Sequence, residues 1–243
     1  MAVQQNDDGT DSYGIAPKRM LFHIPTGPLT ILLLQVLGVA GKNIWTALWV
    51  VCGLYILVVE FGRVAMYHMG AWLGKDQESG RIWRAFYLVE AQCLKHGVLR
   101  EHERGIPTTS FWYVVGLFVT YAVYPDFVVV PAVQFLAIGD PMARLVGKKM
   151  KGVPRSWLGG KKTVEGCLGF FMAAGMMVFF TIMLDNWFPL YPTTMTHGQL
   201  ATMLLTGVVV GMVTEVYTGN FDNTFIPVLS GGAMYWYYMS ISL

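Results

Sequence analysis

From Gly166 to Leu184 the chain reads Gly-Cys-Leu-Gly-Phe-Phe-Met-Ala-Ala-Gly-Met-Met-Val-Phe-Phe-Thr-Ile-Met-Leu, a run without a single charged residue. An α-helix needs roughly 20 apolar residues to cross the hydrocarbon core of a bilayer. Immediately upstream lies the most polar motif of the chain. It begins Gly139-Asp-Pro-Met-Ala-Arg-Leu-Val-Gly147 and continues through a basic loop with Lys148, Lys149, Lys151 and Arg155. It ends Gly159-Gly160-Lys161-Lys162-Thr163-Val164-Glu165. An acidic residue, glycines and lysines are thus collected at the edge of a membrane, where phosphate chemistry on a lipid would have to occur.

Composition extends this reading to the whole chain. Of 243 residues, 54% are hydrophobic and only 13% charged, with a mean hydropathy of +0.48, whereas a soluble domain carries about 25% charged residues. The chain therefore reads as a polar tail over residues 1–20 followed by a single integral-membrane catalytic domain over 21–243. The tail holds Asp7, Asp8 and Asp11 and lacks the basic start and short apolar core of a secretory signal. A net charge of +2 argues against a nucleic-acid partner. Cys52, Cys93 and Cys167 form no Cys-x-x-Cys pair and read as packing residues.

Seven apolar segments are expected to span: 21–40, 44–59, 111–124, 127–138, 166–184, 200–214 and 225–243. Lys42 and Asn43 separate the first two, and Pro125 with Asp126 the third and fourth. Between the second and third, Arg81 to Arg100 places Ile82, Phe86, Val89 and Cys93 at helical spacing. That pattern predicts an amphipathic helix on the membrane surface. The fold class is all-α: a polytopic bundle of about seven transmembrane helices plus a cytoplasmic-side amphipathic helix. With the amino terminus cytoplasmic, this topology puts every Lys and Arg except Lys42 on that side, as the positive-inside rule requires. The carboxyl terminus is then outside or lumenal.

The same topology brings Glu60, Glu103, Asp140, Glu165, Glu215 and Asp222, with Asn223, to the cytoplasmic face, each near a helix end. Carboxylates so placed in an apolar chain are costly unless they share a polar cavity, which makes them a functional-site hypothesis. Thr163 reads as the N-cap of the fifth span. Lys161 and Lys162 precede it, where the helix dipole already disfavours cations, so they point to a bound anion such as phosphate. The stretch is not a P-loop, because Lys162 follows Lys161 where Ser or Thr is required.

The order Gly139-Asp140-Pro141-Met142-Ala143 with Gly147, then Gly160-Lys161-Lys162-Thr163-Val164-Glu165-Gly166, then Glu215 and Asp222-Asn223, resembles the family of CTP-dependent lipid kinases. That family includes dolichol kinase, phytol kinase and the CTP-dependent diacylglycerol kinase. Arg100 with Glu103, and Lys18, Arg19 and His23, resemble its pattern too. The resemblance implies transfer of the terminal phosphate of CTP, with Mg2+, to the hydroxyl of a membrane lipid. Asp140 and Asp222 are then expected as metal ligands. Gly139, Arg144, Gly160, Lys161, Lys162 and Thr163 are expected at the nucleotide. Asp140, Glu215 and Glu165 are the candidate catalytic carboxylates, with either Glu215 or Asp140 taking the hydroxyl proton. His23, Glu60, Arg100, Glu103 and Asn223 are expected to line the site.

The Lys-Lys-Thr-x-Glu-Gly element is shared with CDP-diacylglycerol synthases, which attach CMP to a lipid phosphate. They usually carry Ser-Pro before the lysines, where Gly159-Gly160 stands here, and this favours the kinase. A transporter is the remote alternative. It calls for ionisable residues near the bilayer midplane or an internal repeat, and the carboxylates crowd one face instead. No residue separates an isoprenoid alcohol from diacylglycerol as acceptor.

Overall fold

The structure is a computed structural model and describes residues 23–75, 79–96, 98–150, 162–218 and 221–242. Among these the secondary structure is helical. We number the helices α1 (Thr26–Val36), α2 (Gly38–Leu73), α3 (Arg81–Lys95), α4 (Thr109–Val123), α5 (Asp126–Lys149), α6 (Val164–Asp185), α7 (His197–Tyr217) and α8 (Asp222–Ser242). Four of them, α2, α5, α6 and α7, are long and apolar enough to cross a membrane. The protein is a helix-rich integral-membrane bundle.

α5 is its centre. Val128, Val129, Val130, Ala132, Val133, Phe135, Leu136 and Ala137 are all fully buried, the pattern of a helix apolar on every side and surrounded by others. α1, α6, α7, α8 and α4 pack around it. In its most apolar window 78% of α5 is buried, against 17% for α2, which lies at the periphery beside α4.

Several expected boundaries move. The break between the first two spans falls at Gly38, whose φ of 53° suits glycine, and not at Lys42 and Asn43. Lys42 is absorbed into α2 because its Nζ donates to Asp126 Oδ2 at 2.8 Å, at the start of α5. The second helix does not close at Glu60 either. It runs on to Leu73, where Gly74 in the left-handed region and the Lys75 N–H to Gly70 carbonyl bond (2.9 Å) end it. Thirty-six residues rise about 54 Å, so α2 projects well past a hydrocarbon core of about 30 Å.

The fourth expected span also continues. The helix passes Ile138, keeps Asp140 in its interior and ends at Lys149. Pro141 has no N–H to offer the Ala137 carbonyl, and the chain accommodates this by widening into a π-turn over Phe135–Gly139 just before it. Such turns recur at functional sites.

α3 stops at Lys95, short of the expected Arg100. The Val98 and Leu99 N–H groups turn back onto the Cys93 carbonyl, and Arg100 opens a 3-10 turn at Glu101–Glu103. The face of α3 turned to the protein carries Glu90, Trp83 and Tyr87, while Ile82 and Val89 remain exposed.

Candidate functional site

Asp140 directly follows the π-segment of α5 and is 1% exposed. Four residues on, Arg144 returns over it, with Nε 3.2 Å from Asp140 Oδ1 and Nη2 3.3 Å from Asp222 Oδ2. Asp222 is the first residue of α8. Lys162 enters from the approach to α6, and its Nζ pairs with Glu215 on the last turns of α7 and lies 3.6 Å from Asp222 Oδ2. Three carboxylates from three helices therefore share two cations.

Close packing of α5 on α6 produces this meeting. A Cβ on Gly169 would stand 2.7 Å from the Cβ of Val146, and one on Gly147 would stand 2.7 Å from Thr163 Oγ1. Only hydrogen at both positions lets the start of α6 reach Asp140 and Arg144. Thr163 is the N-cap as expected, its Oγ1 accepting the Gly166 N–H at 3.0 Å. Gly139 lies inside the helix, and a Cβ there would run into the Phe170 ring. Its part is to allow that ring to close on α5.

Burial and charge are arranged in depth. Asp140, Glu215 and Asp222 are at most 3% exposed, whereas the side chains of Arg144 and Lys162 keep 37% and 19% of their surface. The carboxylates form a floor and the cations a mouth, so an anion arriving from water meets the cations first. Burial alone would lower the Lys162 ammonium, but Glu215 and Asp222 outweigh it, and its pKa is raised. Lys162 stays protonated, and among the described residues three carboxyl groups face two cations.

Two acceptors beside this cluster are orphaned. Asn223 is 1% exposed and its Oδ1 has no hydrogen-bond partner among the described residues; the same holds for the buried Oε2 of Glu165 in the first turn of α6. Buried polar groups without partners are rare in folded proteins. No group of three or more His, Cys, Asp or Glu among the described residues is placed to hold a metal ion. The set nonetheless suits Mg2+, which takes one or two carboxylates and draws its other ligands from water and phosphate. Asp140 and Asp222 already converge on one guanidinium.

The remaining expected residues divide into two groups. His23 is buried against Tyr113, with ring centroids 4.3 Å apart. Tyr113 shares a hydrogen bond with Thr26. Sequence reasoning missed Tyr113 and Thr26, because one tyrosine in an apolar helix carries no distinguishing signal. Glu60 and Glu103 lie apart from the cluster, in a bracket of α2, α3 and the 99–108 loop. Glu60 holds Arg63 and accepts the Thr108 N–H at 2.5 Å, and Glu103 accepts from the Arg100 N–H and from Thr109 N–H and Oγ1. Arg100 joins this bracket through its backbone. The bracket reaches the cluster through Thr109, whose carbonyl accepts from Asn223 Nδ2 at 3.1 Å. Gly160 and Lys161, like Lys18 and Arg19, lie outside the described residues.

No family model matches the chain, and no solved structure matches it. A curated relative does: over 98 residues the chain is 40% identical to the protein named Dolichol kinase EVAN of Arabidopsis thaliana. The matched stretch is 39% of this chain and 16% of that protein. The chain therefore spans a small part of the relative it matches, and the likeness suggests a place in the broad lipid-kinase family.

Proposed function

We propose that this protein is a CTP-dependent lipid kinase, transferring the terminal phosphate of CTP to the hydroxyl of a membrane lipid. The observation that carries the reading is the buried floor of Asp140, Glu215 and Asp222 beneath Arg144 and Lys162, at the place where sequence resemblance expects a nucleotide. The partial likeness to a protein named dolichol kinase supports it and makes a long isoprenoid alcohol the first acceptor to test, ahead of phytol and diacylglycerol.

Phosphoryl transfer asks a protein for positioning and charge neutralisation more than for covalent chemistry. In this reading Lys162 and Arg144, with the free N–H groups at the start of α6, bind the phosphates of CTP. Asp140 and Asp222 would hold Mg2+, which when bound neutralises charge on the phosphate oxygens. Engagement of Lys162 by phosphate frees Glu215 from its ion pair, so that Glu215 can accept the proton of the acceptor hydroxyl; Asp140 is the alternative base, and Glu165 stands at the edge of the same site. The acceptor oxygen forms a bond to the terminal phosphorus. The bond from that phosphorus to the bridging oxygen breaks, and CDP leaves with the electron pair.

The proposed topology has seven spans, with α1 and α4 short and the amino terminus and site cytoplasmic. α3 then lies on that surface, with Ile82 and Val89 turned to lipid and Arg81, Arg84 and Lys95 exposed to water and headgroups. The deciding experiment offers the purified protein Mg2+ and CTP labelled separately in the terminal and the innermost phosphate. Acceptors are a polyprenol, phytol, diacylglycerol and phosphatidic acid. Terminal label in a lipid, with CDP released, is the expected result. Innermost label in the lipid, with pyrophosphate released, would instead make the protein a cytidylyltransferase, the reading that the shared Lys-Lys-Thr-x-Glu-Gly element keeps in view.

A further inference from the structure

Asp222 occupies a place that should be poorly held. It is the first residue of α8, and the first N–H groups of a helix have no partner within it, which is where helices fray. A side chain that must meet a ligand has to be held within about 0.5 Å of its productive position. Fixing the first turn that carries Asp222 must therefore come from outside α8.

Its neighbours in sequence show how. Phe221 packs edge-on to Trp112 of α4, with centroids 4.9 Å apart. Asn223 Nδ2 donates to the Thr109 carbonyl at 3.1 Å, and Thr224 Oγ1 donates to the Trp112 carbonyl at 2.7 Å. The two backbones touch: a Cβ on Gly116 would stand 2.5 Å from the Asn223 carbonyl oxygen and 2.7 Å from Thr224 Cα. Of the four residues from Phe221 to Thr224, three are committed to α4, and Asp222 alone reaches α5. Its own carboxylate is held at both ends. Oδ1 accepts the Asn223 N–H at 2.8 Å, and Oδ2 faces Arg144 and Lys162.

We infer that Thr224 is a positioning residue for Asp222, its hydroxyl pinning the first turn of α8 to α4 so that the Asp222 carboxylate stands ready for a divalent cation. This rests on the reading of Asp140 and Asp222 as metal ligands. Nothing in the sequence singles Thr224 out, and it touches neither Arg144 nor Lys162 through any described hydrogen bond or ion pair. Its carbonyl partner belongs to the same first turn of α4 that Glu103 anchors through Thr109. The cytoplasmic bracket and Asp222 are thereby joined.

The test uses the full-length protein in detergent with CTP, and Mn2+ as a paramagnetic probe whose free concentration is read by electron paramagnetic resonance. Thr224→Val keeps the shape and removes the hydroxyl; Thr224→Ser keeps the hydroxyl. One lost hydrogen bond predicts Mn2+ affinity weakened about three- to tenfold in Thr224→Val, with Thr224→Ser close to wild type. The metal concentration for half-maximal turnover should rise in parallel, while the KM for the lipid at saturating metal stays unchanged. Equal Mn2+ affinity in wild type and a folded Thr224→Val would overturn the positioning role and leave the kinase reading intact. Failure of the wild type to bind Mn2+ with CTP present would overturn both. Equal weakening in the serine and valine variants would assign Thr224 to packing instead.

Discussion

Glu60, Glu90 and Glu103 in the bracket are nearly as buried as Asp140, Glu215 and Asp222 in the cluster, and both trios belong to the same polar end of the bundle. They differ in how they are neutralised. In the bracket each carboxylate has partners of its own. Glu60 has Arg63, Glu90 holds Arg104 through both oxygens (2.8 and 3.3 Å), and Glu103 accepts from two backbone N–H groups and a hydroxyl. In the cluster two cations serve three carboxylates, and Asn223 Oδ1 and Glu165 Oε2 nearby have no partner among the described residues. A buried charge that is fully matched locally holds a fold together. A shared and underpaired set has capacity left for a ligand.

That contrast breaks most plainly at Asp140. Asp140→Asn keeps the volume and removes the charge, and turnover is expected to vanish while the melting midpoint in detergent barely moves. An active Asp140→Asn protein would remove this residue from the site and with it the contrast between the trios. Glu215→Gln comes next. Loss of a general base costs about 10²- to 10⁴-fold, so kcat should fall by that order with the KM for CTP little changed. If nucleotide affinity fell and kcat held, Glu215 would be a partner of Lys162 and nothing more.

The bracket should fail in the other direction. Arg104→Met strands Glu90, whose side chain is 2% exposed against 35% for Arg104, and breaking such a half-buried pair from one side costs toward the low end of about 3–5 kcal/mol. The expected outcome is a large drop in unfolding midpoint, with the KM for CTP of the folded fraction unchanged. A variant that melts like wild type but binds CTP poorly would place Arg104 in the nucleotide site and merge the two regions.

Legibility followed the same division. The four long apolar helices could be read because charges interrupt apolar runs, and the members of the cluster because its carboxylates and Lys162 lie at those interruptions. The reading failed where a charge was neutralised out of sight. Lys42 looks like a break, but its partner Asp126 is 84 residues away. Asp140 looks like a helix end, although a π-turn and Pro141 carry the helix past it. The pairing of Arg144 with Asp140 is local, since an Asp and an Arg four residues apart share a helix face. Glu90 with Arg104, and Tyr113 beside His23, depend on packing between distant segments, and no local pattern announces them.

The smallest expected effect sharpens the comparison from the side of the cations. The pKa of Lys162 is raised because Glu215 and Asp222 together outweigh its burial. A cation with a raised folded pKa contributes stability that is fully present below its ordinary value of 10.5 and is lost only as pH climbs through the higher, folded one. Lys162 should therefore keep its charge from about pH 7 to about pH 10. Across that window the KM for CTP should show no titration that Lys162→Arg removes, since arginine holds its charge there as well. A loss of CTP affinity with a midpoint near pH 8 that disappears in Lys162→Arg would mean that lysine titrates within the working range. The carboxylates would then not be holding it charged, and the shared cluster would be no more than a set of neighbours.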